Sequence, residues 1–459
     1  MPAPLALVRQ HMAERGLDFF LVPSSDAHQS EYVPGAWQRR AWVTGFTGSM
    51  GNAVIGKDGA WLWADSRYWL QAEAELDRAH WSLMMQGAHG VPSIPRFLAA
   101  EAEGKVVGYD PRLSSPAEAA ELADALAPAG ATLSALDENL VDLAWTALGG
   151  RPALPKNPIT VWPERHAGES VASKLARLRE GTAAAGAQHL VLTTLDEIAW
   201  AMNIRGTDVS FNPVAIAWAI VSRASATLFI DGGKVGADAQ AHLDEAGVRV
   251  ASYAAFGAAL AGLDGKVVVD SDHGNQWILD VPENAGARPV LVRSLVQPAR
   301  ARTSASSTAC ARPTSPRRGG GHPLPPLDRG RVVKPKPRRA RRRHRARALP
   351  RRGRALPRPV LRYDCGLRRQ RRHRPLPSVA GDQQEDRRLG YVPPRLGRRY
   401  LDGTTDITRT VHLGLPTDRQ REHYTRVLEG HLALYTPSSP ARHDRHPVDA
   451  FARRCGRSA

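Results

Sequence analysis

The chain has 459 residues and only three cysteines, Cys310, Cys365 and Cys455. No two of them stand at metal-ligand or redox spacing, which excludes a disulfide framework and fits a reducing compartment. No apolar run approaches the roughly 20 residues of a membrane span. The N-terminal stretch MPAPLALVRQHMAERGLDFF carries charges where a secretory signal needs an apolar centre. These absences point to a soluble, cytoplasmic protein without a membrane partner. Tryptophan is missing from everything after Trp277, although the chain holds 11. Acid is nearly missing from 298–399, which has 31 Lys and Arg against 5 Asp and Glu. The formal charge of +18 is therefore local. Outside that segment acids outnumber bases, and the protein is an ordinary, mildly acidic one.

Residues 298–399 also hold 15 of the 35 prolines and neither Trp nor Phe. A stretch of this kind cannot bury enough apolar area to offset its conformational entropy, so it is expected to be disordered. Its run PRRARRRHRARALPRRGRALPRP is compatible with a phosphate-neutralising arm. It lacks the interleaved aromatics on which bases stack, and composition alone leaves nucleic-acid binding open.

Before that segment, helix and strand patterns alternate, as in an α/β (α+β) protein. DFFLVPS reads as a buried strand, and NAVIGKDGAWLWAD as a hairpin around Lys57-Asp58-Gly59. SRYWLQAEAEL reads as a helix with Ser66 as its N-cap. RPALPKNPITVWPERHAG reads as a linker, after which the pattern restarts. In both halves a strand ends in small polar residues and an acid, Ser24-Ser25-Asp26 and Thr193-Thr194-Leu195-Asp196. In both, paired strands then close on an acid, Asp65 and Asp231. This implies a structural duplication. After Tyr400, TDRQREHYTRVLEGHLAL reads as an amphipathic helix capped by Thr417.

Three groups are candidates for chemistry. In YLDGTTDITRT, Asp402 and Asp406 stand among threonines and could offer oxygen ligands to a divalent ion; an Asp-Gly turn flanked by β-branched strand residues explains the same spacing. Arg67 could hold a substrate carboxylate or carbonyl; a local ion pair with Asp65 is the simpler alternative. His28, Glu31 and His89 have no ligand spacing and read as surface or domain-contact residues.

The stretches SDAHQSEYVPGAWQRRAWVTGFTGSMGNAV, WADSRYWLQAEAEL, TTLDEIAWAMNIRGTDVSFNPV and YLDGTTDITRTVHLGLPTDRQREHYTRVLEGHLAL together resemble the cytosolic Xaa-Pro aminopeptidases (aminopeptidase P). These belong to the creatinase/prolidase/methionine-aminopeptidase superfamily. The resemblance implies two creatinase-N-like α/β domains, 1–152 and 153–297, then the aberrant segment 298–399 and a fragment, 400–459, of an incomplete pita-bread catalytic domain. It implies two divalent ions, typically manganese, held by two Asp, one His and two Glu, with a metal-bridging water attacking the bond before proline. It implies a substrate peptide with proline second and a homodimer, and no nucleic-acid partner beyond non-specific contacts of the basic segment. Asp406 matches the second ligand Asp, and Arg67 matches an arginine that reaches substrate. The first ligand Asp lies eleven positions before the second, where this chain has Arg395. The His and both Glu ligands have no counterpart through Ala459, so no catalytic set is intact.

Out-of-frame reading of GC-rich coding DNA yields mostly Arg, Pro, Gly, Ala and Ser, the composition of 298–399. One codon set for Pro393–Gly397, re-read one base later, gives Leu-Leu-Asp-Ser-Gly and restores the missing Asp. Frameshifts near 297, 399 and 435 are therefore expected. On this reading the chain as written is an inactive family member. The alternatives are a non-catalytic binding protein or a pseudoenzyme with a basic arm.

Overall fold

The computed structural model describes residues 2–299, 391–392, 395–399, 404–408, 411–412 and 415–435. Two units are distinguished, Met1–Pro313 and Thr314–Ala459.

In the first unit the strands are β1 (Phe19–Val22), β2 (Asn52–Gly56), β3 (Ala60–Ala64), β4 (Ser82–Met85), β5 (Val106–Tyr109) and β6 (Thr132–Ala135). A second set follows: β7 (Thr160–Val161), β8 (His189–Leu192), β9 (Ile204–Arg205), β10 (Ala217–Ser222), β11 (Ala226–Ile230), β12 (Val248–Ala251), β13 (Lys266–Asp270) and β14 (Arg288–Val292). They build two six-stranded sheets, ordered β4-β3-β2-β1-β5-β6 and β12-β11-β10-β8-β13-β14. The orders match strand for strand, and so do the directions. β1 is antiparallel to β2 and parallel to β5, as β8 is to β10 and β13. The duplication expected from the two acid-terminated strands is thus present in the topology.

Strand alternation sends side chains to opposite faces, and both faces here are covered by helices. Phe20 and Val22 of β1 join one cluster with Leu5, Val8 and Met12 of the helix Ala3–Glu14. Phe19 and Leu21 join another with Leu98, Leu122 and Leu126. The second sheet repeats this. Leu190 and Leu192 pack with Val171, Leu175 and Leu178 of the helix Val171–Ala184, and Val191 packs with Phe256, Leu260 and Ile278. At the helix Pro116–Leu126, Ser115 and Glu118 form a reciprocal capping box.

The two α/β layers meet through a smaller apolar cluster. Ala36 and Trp37 of the first half pack with Leu195, Ala199, Val214 and Ile216 of the second. Main-chain bonds cross the same junction: Gln276 N–H donates to Ser114 O at 2.8 Å and Trp277 N–H to Pro111 O at 3.0 Å. Asn275 is used at both ends. Its Oδ1 caps the helix Gln276–Asn284 by accepting from Ile278 N–H, and its Nδ2 donates to Ala27 O at 2.7 Å.

Several expectations are corrected. Ser66 is not a cap: the helix Trp69–Glu75 begins after Tyr68, with no side-chain cap. Asp65 organises that turn instead, because its carboxylate accepts from Arg67 N–H and its carbonyl from Tyr68 N–H. The linker ends earlier than its prolines suggest, since β7 pairs with β9 and Ile159 N–H already donates to Lys234 O.

In the second unit, β15 (Tyr391–Val392) pairs with β18 (Val411–His412), and β16 (Arg395–Arg399) pairs with β17 (Thr404–Thr408). The disorder expected over 298–399 is therefore wrong at its C-terminal end. Backbone pairing needs only N–H and C=O groups, and the β-branched β17 supplies a partner ladder whatever side chains face it. Residues 300–390 of that expectation lie outside the described residues, as does the tail after Tyr435. The helix Asp418–Tyr435 follows. Thr417 caps it as expected: its Oγ1 accepts from Gln420 N–H at 3.2 Å, and Gln420 Oε1 accepts from Thr417 N–H at 2.8 Å. Val427 and Leu432 on this helix are 74% and 55% exposed.

Candidate active site

Asp406 sits at the centre of β17, held by an antiparallel ladder to β16. The register sets Gly397 opposite Asp406, Arg395 opposite Thr408 and Arg399 opposite Thr404. The position eleven residues before Asp406 is therefore on the neighbouring strand, two residue pairs along the ladder from the direct partner of Asp406. Two acids at these positions would lie on adjacent strands, as a shared metal pair requires. The chain has Arg395 at the first.

Within this described strand pair the residue types present do not fit a dinuclear divalent centre. The described strand pair holds one acid, Asp406, against three guanidinium groups, Arg395, Arg398 and Arg399. Divalent ions such as manganese take oxygen or imidazole donors, and a guanidinium is a cation with no acceptor. Among the described residues, no group of three or more His, Cys, Asp or Glu could hold a metal ion.

Arg67 lies in the first unit, at the turn between β3 and the helix Trp69–Glu75. Its guanidinium is 63% exposed and forms a two-pronged pair with Asp65: Nε donates to Oδ1 at 3.0 Å and Nη2 to Oδ2 at 2.7 Å. The pair holds the arginine above its ordinary value and the acid below its own, each through the shared hydrogen bonds. A ligand for Arg67 would compete with this carboxylate.

His28 is a domain contact, the second of the two alternatives, surface or domain contact, left open by the sequence. It is 1% exposed. Its Nδ1 lies 2.8 Å from Thr193 O, which only accepts, so Nδ1 carries the proton and donates. Its Nε2, 2.9 Å from the Tyr253 hydroxyl, then accepts from it. The ring lies 3.9 Å from that of Trp218. Burial pushes the imidazole down, so it remains neutral, and burial raises the Tyr253 phenol, so it stays a donor. Glu31 and His89 are exposed and do not join it.

Two buried cations were not legible in the sequence. Arg40 donates through Nη1 to Phe46 O at 2.8 Å and through Nη2 to Gly48 O, shaping the loop that ends at β2. Burial pushes its guanidinium down to about 10. Lys234 pairs with Asp208 at 2.7 Å, with both side chains essentially sealed from solvent. The second Arg of the pair Arg39-Arg40 was the available signal: adjacent charges on a short apolar helix turn both need partners. Arg39 indeed finds Asp142, 2.8 Å from both Nε and Nη2.

Comparison with known proteins gives a consistent assignment. Models of the Creatinase/Prolidase N-terminal domain match residues 4–143 and, in a second form, 150–305. Metallopeptidase family M24 matches 394–454. A probable Xaa-Pro aminopeptidase P of Coccidioides posadasii is 34% identical over 481 aligned residues, covering 98% of this chain and 75% of its own. Aminopeptidase P2 of Arabidopsis thaliana is 33% identical over 492, covering 98% and 68%. The crystal structure of X-prolyl aminopeptidase from Caenorhabditis elegans, described as a cytosolic enzyme with a di-nuclear active site, superposes with a TM-score of 0.79. At 24% identity, covering 99% of this chain and 77% of that one, it shows the shared fold.

Proposed function

Because the chain belongs to the Xaa-Pro aminopeptidase P family of metallo-aminopeptidases, we propose that its fold serves removal of the first residue from peptides with proline second. The family chemistry uses two divalent ions, with manganese as the proposed metal, to activate a water and stabilise the developing oxyanion. In this reading Asp406 is a metal ligand and Arg67 a substrate contact. The domains run 1–152, 153–297 and 400–459, with 298–399 an out-of-frame segment. The protein is cytoplasmic and dimeric.

The same reading makes the chain as written inactive. The observation that carries this is the cross-strand register around Asp406, where the partner strand offers arginines and no acid. A guanidinium at the place of Arg395 cannot replace the first carboxylate ligand, because it has no acceptor to offer a cation. Arg67 remains available in this reading because its partner Asp65 is exposed enough for a peptide group to displace it; an exposed ion pair is worth roughly 1 kcal/mol or less.

The test is hydrolysis of an Arg-Pro-Pro peptide with manganese present. The chain as written is expected to release no arginine. A chain re-read in the alternative frame across the Arg- and Pro-rich segment, with an acid at the place of Arg395, is expected to release it. Release by the unaltered chain overturns the inactive reading. A nucleotide sequence with no acid-bearing alternative frame overturns the frameshift.

A further inference from the structure

Between the two α/β layers of the first unit lies a hollow of about 310 Å³. That is near the lower end of small-ligand sites, roughly 300–1,000 Å³, and domain junctions are where such sites concentrate. Its apolar walls come from both halves: Trp37 from the first, and Trp218, Tyr253, Phe256 and Trp277 from the second. The walls are preformed. Trp218 stacks on Phe256 at 4.6 Å and 5°, and the Tyr253 hydroxyl is tied to His28.

The polar groups on the hollow are unbalanced toward donors. Arg39 and Arg112 both line it, as does Asp110. Both Asp110 oxygens already accept, Oδ1 from Arg112 N–H and Oδ2 from Asn139 Nδ2, each at 2.9 Å. Arg39 spends Nε and Nη2 on Asp142, and its Nη1 is buried with no hydrogen-bond partner. Buried donors are nearly always satisfied in folded proteins, so an orphaned guanidinium nitrogen on a residue that lines the hollow marks a place for an acceptor. Arg112 donates through Nη1 to Asp137 O at 2.9 Å and lies 4.8 Å over the Trp277 ring, with further N–H groups to offer.

The geometry points to a binding site for a small carboxylate with a flat apolar body, its anion on Arg39 and Arg112 and its body between the aromatic walls. Carboxylate meets guanidinium through charge-assisted bonds, and a ring of such a ligand stacks on indole at a favourable offset. A free aromatic amino acid and a simple aryl carboxylate share this chemistry. They differ in the ammonium group, for which Asp110 is the one acid on the wall.

The test uses the full chain, titrated with 3-phenylpropionate, phenylalanine and phenethylamine while tryptophan fluorescence and the thermal midpoint are followed. Both carboxylates are expected to change the fluorescence saturably and raise the midpoint, and phenethylamine is not. Tighter binding of phenylalanine assigns the ammonium to Asp110, and equal binding assigns the carboxylate alone. Arg112→Gln is expected to weaken binding about tenfold, the worth of one charge-assisted bond. Ala254→Leu, at an exposed wall position, adds bulk to the hollow and is expected to abolish binding even if Arg112→Gln folds poorly. The proposal is overturned if neither carboxylate saturates, if phenethylamine binds as well as they do, or if Ala254→Leu binds like the unaltered chain.

Discussion

His28 ties the stability of the first unit to pH with a sign opposite to that of an exposed, carboxylate-paired histidine. The perturbation is a fall from pH 8 to pH 5. In the unfolded chain this imidazole titrates near its ordinary value of about 6.5 and is almost wholly protonated at pH 5. In the fold, burial pushes it down. Asp26, whose carboxylate accepts from His28 N–H, pulls the other way, and Lys234 reinforces burial. The unfolded state therefore binds more protons than the native state below about pH 6.5, and stability falls as pH falls through that window. The ordinary value of the unfolded ring sets the ceiling of that loss at about 2 kcal/mol between pH 8 and pH 5. Protonation would also oblige Nε2 to donate where it now accepts from Tyr253. Urea unfolding by tryptophan fluorescence at the two pH values measures the loss. Carboxylates with lowered values, such as Asp18 and Asp65, also weaken the fold in acid, so the informative quantity is the difference from His28→Gln. The variant is expected to lose less over the same interval, by at most about 2 kcal/mol. Equal losses in both proteins would refute the reasoning.

Two further outcomes follow from buried polar groups and caps. Asp208→Asn leaves Lys234 sealed without its counter-ion, and is expected to destabilise by about 3–5 kcal/mol in the same urea assay; a loss below about 1 kcal/mol would show that Lys234 finds water. Ser115→Ala removes the hydroxyl that accepts from Glu118 N–H and is expected to cost about 1 kcal/mol, read as a lowered midpoint with an unchanged denaturant slope.

Much of the first unit is legible in the sequence because its signals are local. The hairpin around Lys57-Asp58-Gly59 is visible from two β-rich runs and a turn, and β2 and β3 pair there. The duplication is visible because strand ends carry acids at matching places, and those ends fall after β1 and β8, β3 and β11. Ser66 misled because a stronger acceptor stands next to it: Asp65 takes the free N–H groups of that turn. The junction was hidden for a different reason. His28, Trp37, Trp218 and Tyr253 come together only through tertiary packing, across up to 225 positions, and no local period encodes that. In the second unit, composition misjudged 391–392 and 395–399, since a ladder to β18 and β17 overrides poor strand propensity.

The central proposal is that a family hairpin carrying Asp406 but Arg395 does not assemble two metal ions. Manganese titration of the full chain by calorimetry, with protein-bound metal counted after desalting, tests it most directly. The account predicts no retained manganese and no saturable site. Two ions retained per chain would contradict it.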